Sequence, residues 1–321
     1  MSSLETLPPD PRLDSPATYS APAVIASIET FYRSLPHISP EHIHTPPPGG
    51  WPSITKEALG KWNIHKTEQV VGLLRHLPYL CSSQPRIAPD ARVIDYRLVG
   101  HAPDDYTTTD PNPGNECDCH HHHLLPPRPR HPPPWLSQLA DNHHQSDWGF
   151  QLPLTAVQLT WDQHRGAACH ILDTLDGTMS LFSAEGYVYP SPKGHYSSDD
   201  PRVWREACDE ATVPVAELLR EWTDRFRCME WLGVPGGGEP GVIVVAGTKD
   251  LWWKQGEFEE KWLAREMVAY SAIFKKYGWP DNYRGEECRK AIAELTEEEM
   301  ERYLEAHRQE MARLERAESE T

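Results

Sequence analysis

Apolar residues recur at helical spacing in several stretches of the chain, and residues that start or stop helices bound each stretch. The first stretch covers residues 22–35, and Pro36 ends its pattern. The second begins at Thr67, a residue type that caps helices, and stops at Leu77 before Pro78. We therefore predict an amphipathic helix over each stretch.

Three further helices are predicted towards the C-terminus. One has Pro214 in its first turn and ends near Gly233, and another presents an aromatic face over residues 258–277. The last begins at Thr296, because Thr296-Glu297-Glu298-Glu299 fits a capping box. Its apolar stripe consists of Met300, Tyr303, Leu304, His307, Met311 and Leu314. A stripe this narrow indicates a surface helix or a short coiled-coil arm.

Alternating apolar and polar residues predict strands between these helices. Residues 92–99 and 154–161 are two such runs. Residues 168–175 and 178–183 flank Asp176-Gly177, a dipeptide favoured in type I′ turns, and therefore predict a hairpin. A short β-branched run between two glycines, residues 241–247, predicts a buried strand.

Together these elements predict an α+β fold, a single domain with a small, mainly antiparallel sheet covered by helices. Residues 21–235 form its core, residues 236–295 supply a final strand and helices that pack on the core, and residues 296–321 form a C-terminal surface helix. Residues 1–20 are expected to be disordered. A disordered Pro/His-rich insertion is predicted at 101–148, because its composition cannot bury enough apolar area to offset the entropy of ordering.

Charge and cysteine usage narrow the classes of partner. Lys and Arg total 31 against 48 Asp and Glu, a net charge of -17, which argues against nucleic acid and membrane surfaces as partners. The 7 cysteines are odd in number and scattered, which indicates reduced thiols. We find no secretory signal pattern and no apolar run of membrane-spanning length. A cytoplasmic protein is predicted, with a nuclear location as the alternative.

A tract rich in cysteine and histidine lies inside the predicted insertion. Its members are Cys117, Cys119, His120, His121, His122 and His123. Thiolate and imidazole bind zinc and copper(I), so a loop can wrap four of these groups around a metal. Compositional drift is the simpler explanation, because consecutive histidines lack the fixed spacing of a structural site. We predict no cofactor and keep zinc or copper in this tract as the alternative.

A second group of metal-ligand residue types follows the first helix. His42 and His44 can project their imidazoles to one side of an extended segment, and His37 lies shortly before them. The sequence nominates no further ligand. Solvated or core-edge histidines are therefore the simpler interpretation.

The predicted hairpin carries residue types that could form a catalytic set. These are Asp162, His164, Cys169, His170, Asp173 and Asp176. Alternation places Cys169 and His170 on opposite faces of one strand, so they cannot form a nucleophile–base pair with each other. A packing cysteine with exposed turn carboxylates is the simpler interpretation.

The chain holds 12 tryptophans, and several lie outside the amphipathic stripes. Aromatic side chains of this kind either close a core or line a binding groove. Core closure is the simpler explanation. Our candidate binding residues, should a groove exist, are Trp51, Trp252, Trp253 and Trp279.

Several segments resemble a pattern found in a set of uncharacterised filamentous-fungal proteins. They are Gly49-Gly50-Trp51-Pro52-Ser53-Ile54, Lys66-Thr67, residues 73–79, Tyr277-Gly278-Trp279-Pro280 and Tyr283-Arg284. The order of a helix, Leu77-Pro78-Tyr79, a hairpin and the Pro214 helix is also similar to SUKH-superfamily domains, which occur in a fungal cell-wall regulator and in bacterial immunity proteins. This second resemblance implies an α+β binding module rather than an enzyme.

No constellation in the sequence combines the residue types and the spacing that catalysis needs. We therefore predict a non-catalytic protein-interaction or regulatory module of a fungal cell, with a protein partner and with scope for self-association through the C-terminal helix. The alternative is a small-molecule, metal-assisted enzyme of fungal metabolism that uses His37, His42 and His44 or the hairpin group.

Overall fold

The computed structural model describes residues 7–80, 85–89, 91–101, 136, 152–161, 168–183, 194–208, 212–234, 241–244 and 257–319. Between 257 and 319 it describes the side chains of residues 265–299 and 301–309. The chain forms two compact units, one of Met1–Ser34 with Pro40–Trp222 and the other of Leu35–Ser39 with Thr223–Thr321. The α+β class is confirmed, and the chain divides into two compact units where the sequence analysis expected a single domain.

The described residues of unit 1 include three N-terminal helices, and side-chain caps begin the second and third of them. They are α1 (Ala21–Ser34), α2 (Lys56–Lys61) and α3 (Glu68–His76). Thr67 caps α3 as predicted, because its side-chain oxygen accepts the Val70 amide proton at 3.3 Å. Both predicted N-terminal helices are thus confirmed to within a residue or two at each end.

The described residues of unit 1 also form three antiparallel sheets. The first pairs β1 (Ile43–His44) with β2 (Tyr79–Leu80). The second has the order β3-β4-β6, formed by Arg86–Ala88, Ala91–Val93 and Thr160–Trp161. The third has the order β5-β7-β8-β9, formed by Ala156–Gln158, Ala168–Asp173, Thr178–Ser183 and Val213–Pro214. The hairpin predicted around Asp176-Gly177 is the β7–β8 pair.

Two local predictions in unit 1 are wrong. The strand expected over residues 92–99 ends at Val93, and a 3-10 helix covers Tyr96–Gly100 because the Asp95 carboxylate caps the Arg97 amide. The hairpin loop is also longer than the two residues of a type I′ turn. Its last strand pair joins Asp173 to Thr178, and within this loop Gly177 alone has a left-handed φ, at +77°.

The predicted disordered segments meet different outcomes. Residues 7–20 are described, and the Arg12 side chain is buried there, so disorder over the whole of 1–20 is wrong. Most of the 101–148 insertion lies outside the described residues. Leu136 is described within it and is fully buried, so at least this residue belongs to a packed region.

A helix, α4 (Val215–Arg227), crosses the boundary between the units. Pro214 was expected in its first turn but lies in β9, directly before the helix begins. Unit 2 then contains β10 (Trp231–Val234) and β11 (Gly241–Val244), which pair antiparallel, so Gly233 lies in a strand rather than at a helix end.

Two long helices form an antiparallel hairpin in unit 2. They are α5 (Glu257–Lys276) and α6 (Gly285–Ser319). The predicted helix start at Thr296 is wrong, because its hydroxyl donates to the Ile292 carbonyl at 2.8 Å from the middle of α6. The helix begins earlier because Cys288 and Ile292 bury themselves in the same cluster as Phe274 of α5.

Among the helices of the described residues, none has the combination of length and apolar character needed to cross a membrane.

Candidate functional site

The end of the β7–β8 hairpin in unit 1 holds a dense group of charged side chains, which we call the Arg205 cluster. Its members are Asp10, Arg12, Asp173, Asp176, Tyr196, Asp200, Arg202, Arg205 and Glu206. Three parts of the chain supply them: the N-terminal segment, the hairpin loop, and the region around a 3-10 helix, Val203–Ala207. The fold thus gathers residues that lie far apart in sequence.

Arg205 is at the centre of the cluster and its side chain is fully buried. Its Nη1 donates to Asp10 at 2.8 Å and to Asp176 at 2.9 Å, while its Nη2 donates to Asp173 at 2.8 Å. Burial alone would lower the pKa of Arg205, but the hydrogen bonds and charges of Asp176 and Asp173 raise it. One guanidinium therefore holds three carboxylates from two segments of the chain.

Arg202 and Tyr196 extend the cluster on either side. Arg202 donates to Asp200 twice, from Nε at 2.9 Å and from Nη2 at 2.8 Å, and this bidentate pair lowers the pKa of Asp200. The Tyr196 hydroxyl donates to the Asp10 carboxylate at 2.9 Å. Burial raises the pKa of Tyr196 to about 12, so the phenol stays protonated and remains a donor.

These contacts correct one sequence interpretation. We expected exposed turn carboxylates, but Asp173 and Asp176 are only 1% and 5% exposed. Their partner Arg205 lies 29 to 32 residues further along the chain, within a stretch that shows no periodic pattern. The sequence therefore points to the carboxylates at the turn as candidate functional groups, whereas it gives no sign that Arg205 pairs with them.

His170 and Cys169 meet different surroundings, in agreement with the predicted alternation. The His170 Nδ1 lies 2.8 Å from the Thr160 hydroxyl, and Gln158 Nε2 donates to the Cys169 sulfur at 3.2 Å. The His170 ring also packs edge-on against Trp222 at 4.8 Å. Burial lowers the pKa of His170 to about 3, so this imidazole is neutral at physiological pH. Asp162 and His164 lie outside the described residues.

The histidines after the first helix do not form a metal site in the described part of the chain. His42 and His44 belong to unit 1, whereas His37 belongs to unit 2, where it stacks on Phe226 at 5.9 Å. Among the residues that the structure describes, no group of three or more His, Cys, Asp or Glu side chains is placed to hold a metal ion. The tract from Cys117 to His123 lies outside those residues.

Two of the four candidate tryptophans are described, and both are packed. Trp51 is 1% exposed, and its Nε1 donates to the Leu77 carbonyl at 2.8 Å, so it closes the core and is wrong as a surface binding residue. Trp279 is partly buried, with its Nε1 donating to the Phe226 carbonyl at 3.0 Å. Trp252 and Trp253 lie outside the described residues.

The helical hairpin of unit 2 presents a different kind of surface. Tyr270 contacts Thr296 at 3.1 Å and Arg265 contacts Glu299 at 3.3 Å, which fixes the antiparallel register of α5 and α6. At a rise of about 1.5 Å per residue, this register places the start of α5 near residue 308 of α6. The last ten or so residues of α6, about 15 Å of helix, therefore have no part of α5 opposite them.

Large apolar side chains are exposed on this hairpin. Leu304 on α6 is 50% exposed, and Val268 on α5 is 72% exposed. Leu304 lies within the apolar stripe that the sequence places on α6. The hairpin therefore offers an apolar contact surface, whereas the charged side chains of the Arg205 cluster pair with one another and leave the buried Arg205 Nε without a hydrogen-bond partner among the described atoms.

Comparison with known proteins found no protein-family model, no curated protein and no solved structure that matches this chain. The resemblances to fungal proteins and to SUKH-superfamily domains therefore stay predictions.

Proposed function

We propose that this chain is a non-catalytic protein-interaction module and that the C-terminal half of α6 is its binding surface. The observation that carries the proposal is the exposure of Leu304, a large apolar side chain on α6 that is 50% exposed. The helix α6 also extends beyond the end of α5. An exposed helix of this kind gains most of its stability from packing of its apolar face. A partner helix would supply that packing.

The spacing of the stripe favours a helical partner. Met300, Leu304, His307, Met311 and Leu314 follow one another at alternating intervals of four and three residues. That interval pattern is typical of the a and d positions of a coiled coil, in which each side chain inserts between residues of the facing helix. The simplest partner with a matching stripe is a second copy of this chain.

The charges beside the stripe suit such self-association. Glu301 and Arg308 lie one heptad apart and therefore share one heptad position, next to the seam. In an antiparallel pair, Glu301 of one copy lies opposite Arg308 of the second copy, and the converse pair forms by symmetry. These two ion pairs favour the antiparallel arrangement.

The described polar groups support a non-catalytic role. The buried groups of the Arg205 cluster bond to one another, and the neutral His170 is enclosed by Thr160 and Trp222. Catalytic acids and bases need access to a substrate. The four cysteines of the described residues form no disulfide, which supports our placing the protein in the cytoplasm, with the nucleus as the alternative.

Sedimentation equilibrium on purified protein tests this proposal. Wild type is expected to self-associate with a dissociation constant in the micromolar range, and Leu304→Glu is expected to raise that constant at least tenfold, about 1.4 kcal/mol. Val268→Glu makes the same chemical change at the more exposed site on α5, and should leave association unchanged. A monomeric wild type, or equal weakening by both variants, contradicts self-association through α6.

The zinc or copper alternative has a separate test. We propose that the chain needs no cofactor, and metal analysis of untagged protein is expected to show none. The control is a variant that lacks residues 117–123. Stoichiometric metal in wild type that is lost in this variant would make the Cys117–His123 tract a metal site and would contradict the proposal.

A further inference from the structure

The N-terminal segment reaches the Arg205 cluster with both ends of an Asp-Pro-Arg tripeptide. The Asp10 side chain is 3% exposed, and its carboxylate accepts from Arg205 Nη1 at 2.8 Å, from Arg202 Nη1 at 3.5 Å and from the Tyr196 hydroxyl at 2.9 Å. Two cations and one neutral donor therefore converge on a single carboxylate. We call residues 8–12 the N-terminal arm.

Arg12 at the other end of the tripeptide is held as closely. Its Nη1 donates to the Arg205 carbonyl at 2.7 Å, and its Nη2 donates to the Glu206 carboxylate at 3.1 Å. Its guanidinium also lies over the Tyr196 ring, 5.0 Å from the centroid. The cluster thus receives a negative group and a positive group in separate, specific places.

The backbone of the arm is recognised as well. Arg202 Nη2 donates to the Pro8 carbonyl at 2.9 Å, and Arg12 Nε donates to the Gly194 carbonyl at 3.3 Å. Pro11 lies so close to Gly194 that a Cβ at that glycine would clash with the Pro11 carbonyl oxygen. The absence of a side chain at Gly194 is what lets the arm approach.

A second Asp-Pro-Arg tripeptide in unit 1 shows what is special about the arm. In Asp200-Pro201-Arg202 the Arg202 amide, Nε and Nη2 all donate to the Asp200 carboxylate, so the two charged ends pair with each other in addition to the bonds that Arg202 makes to the arm. In the arm the Arg12 amide makes the same short-range bond to Asp10, at 2.8 Å, but both charged ends turn to other residues. The arm therefore resembles a bound ligand, because its two charged side chains pair with Glu206 and Arg205 of the cluster.

The charge balance selects for a segment that carries both signs. Without the arm, the two arginines Arg202 and Arg205 face four carboxylates, the buried Asp173, Asp176 and Asp200 and the partly exposed Glu206. A simple anion would add to this buried negative excess, which is costly. A segment that carries one carboxylate and one guanidinium leaves the net charge unchanged and satisfies both poles.

We infer that the Arg205 cluster is a docking site for an extended Asp-Pro-Arg segment, that the N-terminal arm is its intramolecular occupant, and that a partner protein with such a segment displaces the arm. This site is separate from the α6 surface, so the failure of either idea leaves the other standing. Because the tether gives the arm a high effective concentration, a partner competes against it and binding is regulated by release of the arm.

Fluorescence anisotropy with a labelled peptide of residues 7–14 tests the inference on full-length protein. The peptide is expected to bind the Asp10→Asn/Arg12→Ala double variant at least tenfold more tightly than wild type, because the wild-type arm occupies the site. A peptide with the same two substitutions is the matched control and should bind neither protein. Inorganic phosphate should not compete.

Several outcomes overturn the inference. Equal peptide affinity for wild type and the double variant would show that the arm is not a competitor. No binding to a folded double variant would show that no docking site exists, and displacement by phosphate would reveal a plain anion site. Should circular dichroism show the double variant unfolded, the single Asp10→Asn variant replaces it. Unfolding of both would make the arm an inseparable part of the core.

Discussion

Each unit buries carboxylates, but the arginines that pair with these carboxylates differ in their exposure to solvent. In unit 1, Arg205 is fully buried together with Asp173 and its other acidic partners. In unit 2, the Glu299 side chain is 4% exposed, while its partners Arg265 and Arg302 are 58% and 52% exposed. The Glu299 Oε2 has no hydrogen-bond partner among the described atoms.

This difference changes what each carboxylate contributes. In unit 1 both signs of charge have left water, so the loss of one partner leaves the others buried and unpaired. In unit 2 the arginines stay in solvent, which screens their attraction to Glu299. Glu299 also raises the pKa of the half-buried Glu266, after the larger effect of burial. The buried ion pairs of unit 1 hold the N-terminal segment and the hairpin together. In unit 2, the buried Glu299 favours protonation of the neighbouring Glu266.

The largest expected effect is at the centre of the unit 1 cluster. We expect Arg205→Met to lower the free energy of unfolding of unit 1 by about 3–5 kcal/mol, because three carboxylates lose their shared cation. Native-state hydrogen exchange in peptides from β7 and β8 measures this loss. Val203→Ala in the same 3-10 helix is the control, with an expected change within about 0.5 kcal/mol. A loss below about 1 kcal/mol would contradict the central role of Arg205.

The elements that the sequence predicted well are those whose signal is local. The helix at Thr67 carries its own cap, and the β7–β8 hairpin carries its own alternation. Thr296 shows the limit of this reasoning. Its capping-box pattern is a genuine local signal, but burial of Cys288 and Ile292 in the α5–α6 cluster extends the helix through it.

The Arg205 cluster was beyond sequence reasoning for the same physical cause. Asp10 and Arg205 are 195 residues apart in sequence, and neither lies in a periodic pattern from which their contact could be predicted. Among the members of the Arg205 cluster, the sequence points only to Asp173 and Asp176, because they lie beside a recognisable turn. A charged residue in an irregular segment shows no local sign of being buried, since its burial depends on long-range pairing.

A matched pair of neutral substitutions sharpens the contrast between the units. We expect Asp173→Asn to cost unit 1 about 2–3 kcal/mol, because it removes a charged hydrogen bond to the buried Arg205. Glu299→Gln should change unit 2 by no more than about 0.5–1 kcal/mol, because the arginines that pair with Glu299 are exposed and solvent screens their attraction to it. Hydrogen exchange in peptides of each unit reports both changes. Equal losses of stability in the two variants would contradict the proposed difference between the ion pairs of the two units.

Acidification is expected to weaken unit 1 through His170. The pKa of this imidazole falls from 6.5 to about 3 on burial, so below pH 6.5 the unfolded chain binds a proton that the folded chain does not. Stability is therefore lost as pH falls, by about 2 kcal/mol at pH 5 relative to pH 7. His170→Asn should remove this dependence, and an identical pH profile in variant and wild type would contradict it.

Unit 2 is expected to respond to acid in the opposite sense, by a smaller amount. The pKa of Glu266 is raised above 4.5, so the folded chain takes up this proton at a higher pH than the unfolded chain does. Stability therefore rises as pH falls from neutrality towards 4.5, by less than about 1 kcal/mol because solvent screens a half-buried group. Hydrogen exchange in α6 peptides at pH 7 and pH 5, corrected for intrinsic rates, measures the rise. Glu266→Gln should abolish it and Glu299→Gln should reduce it, whereas a rise that survives Glu266→Gln must come from another group.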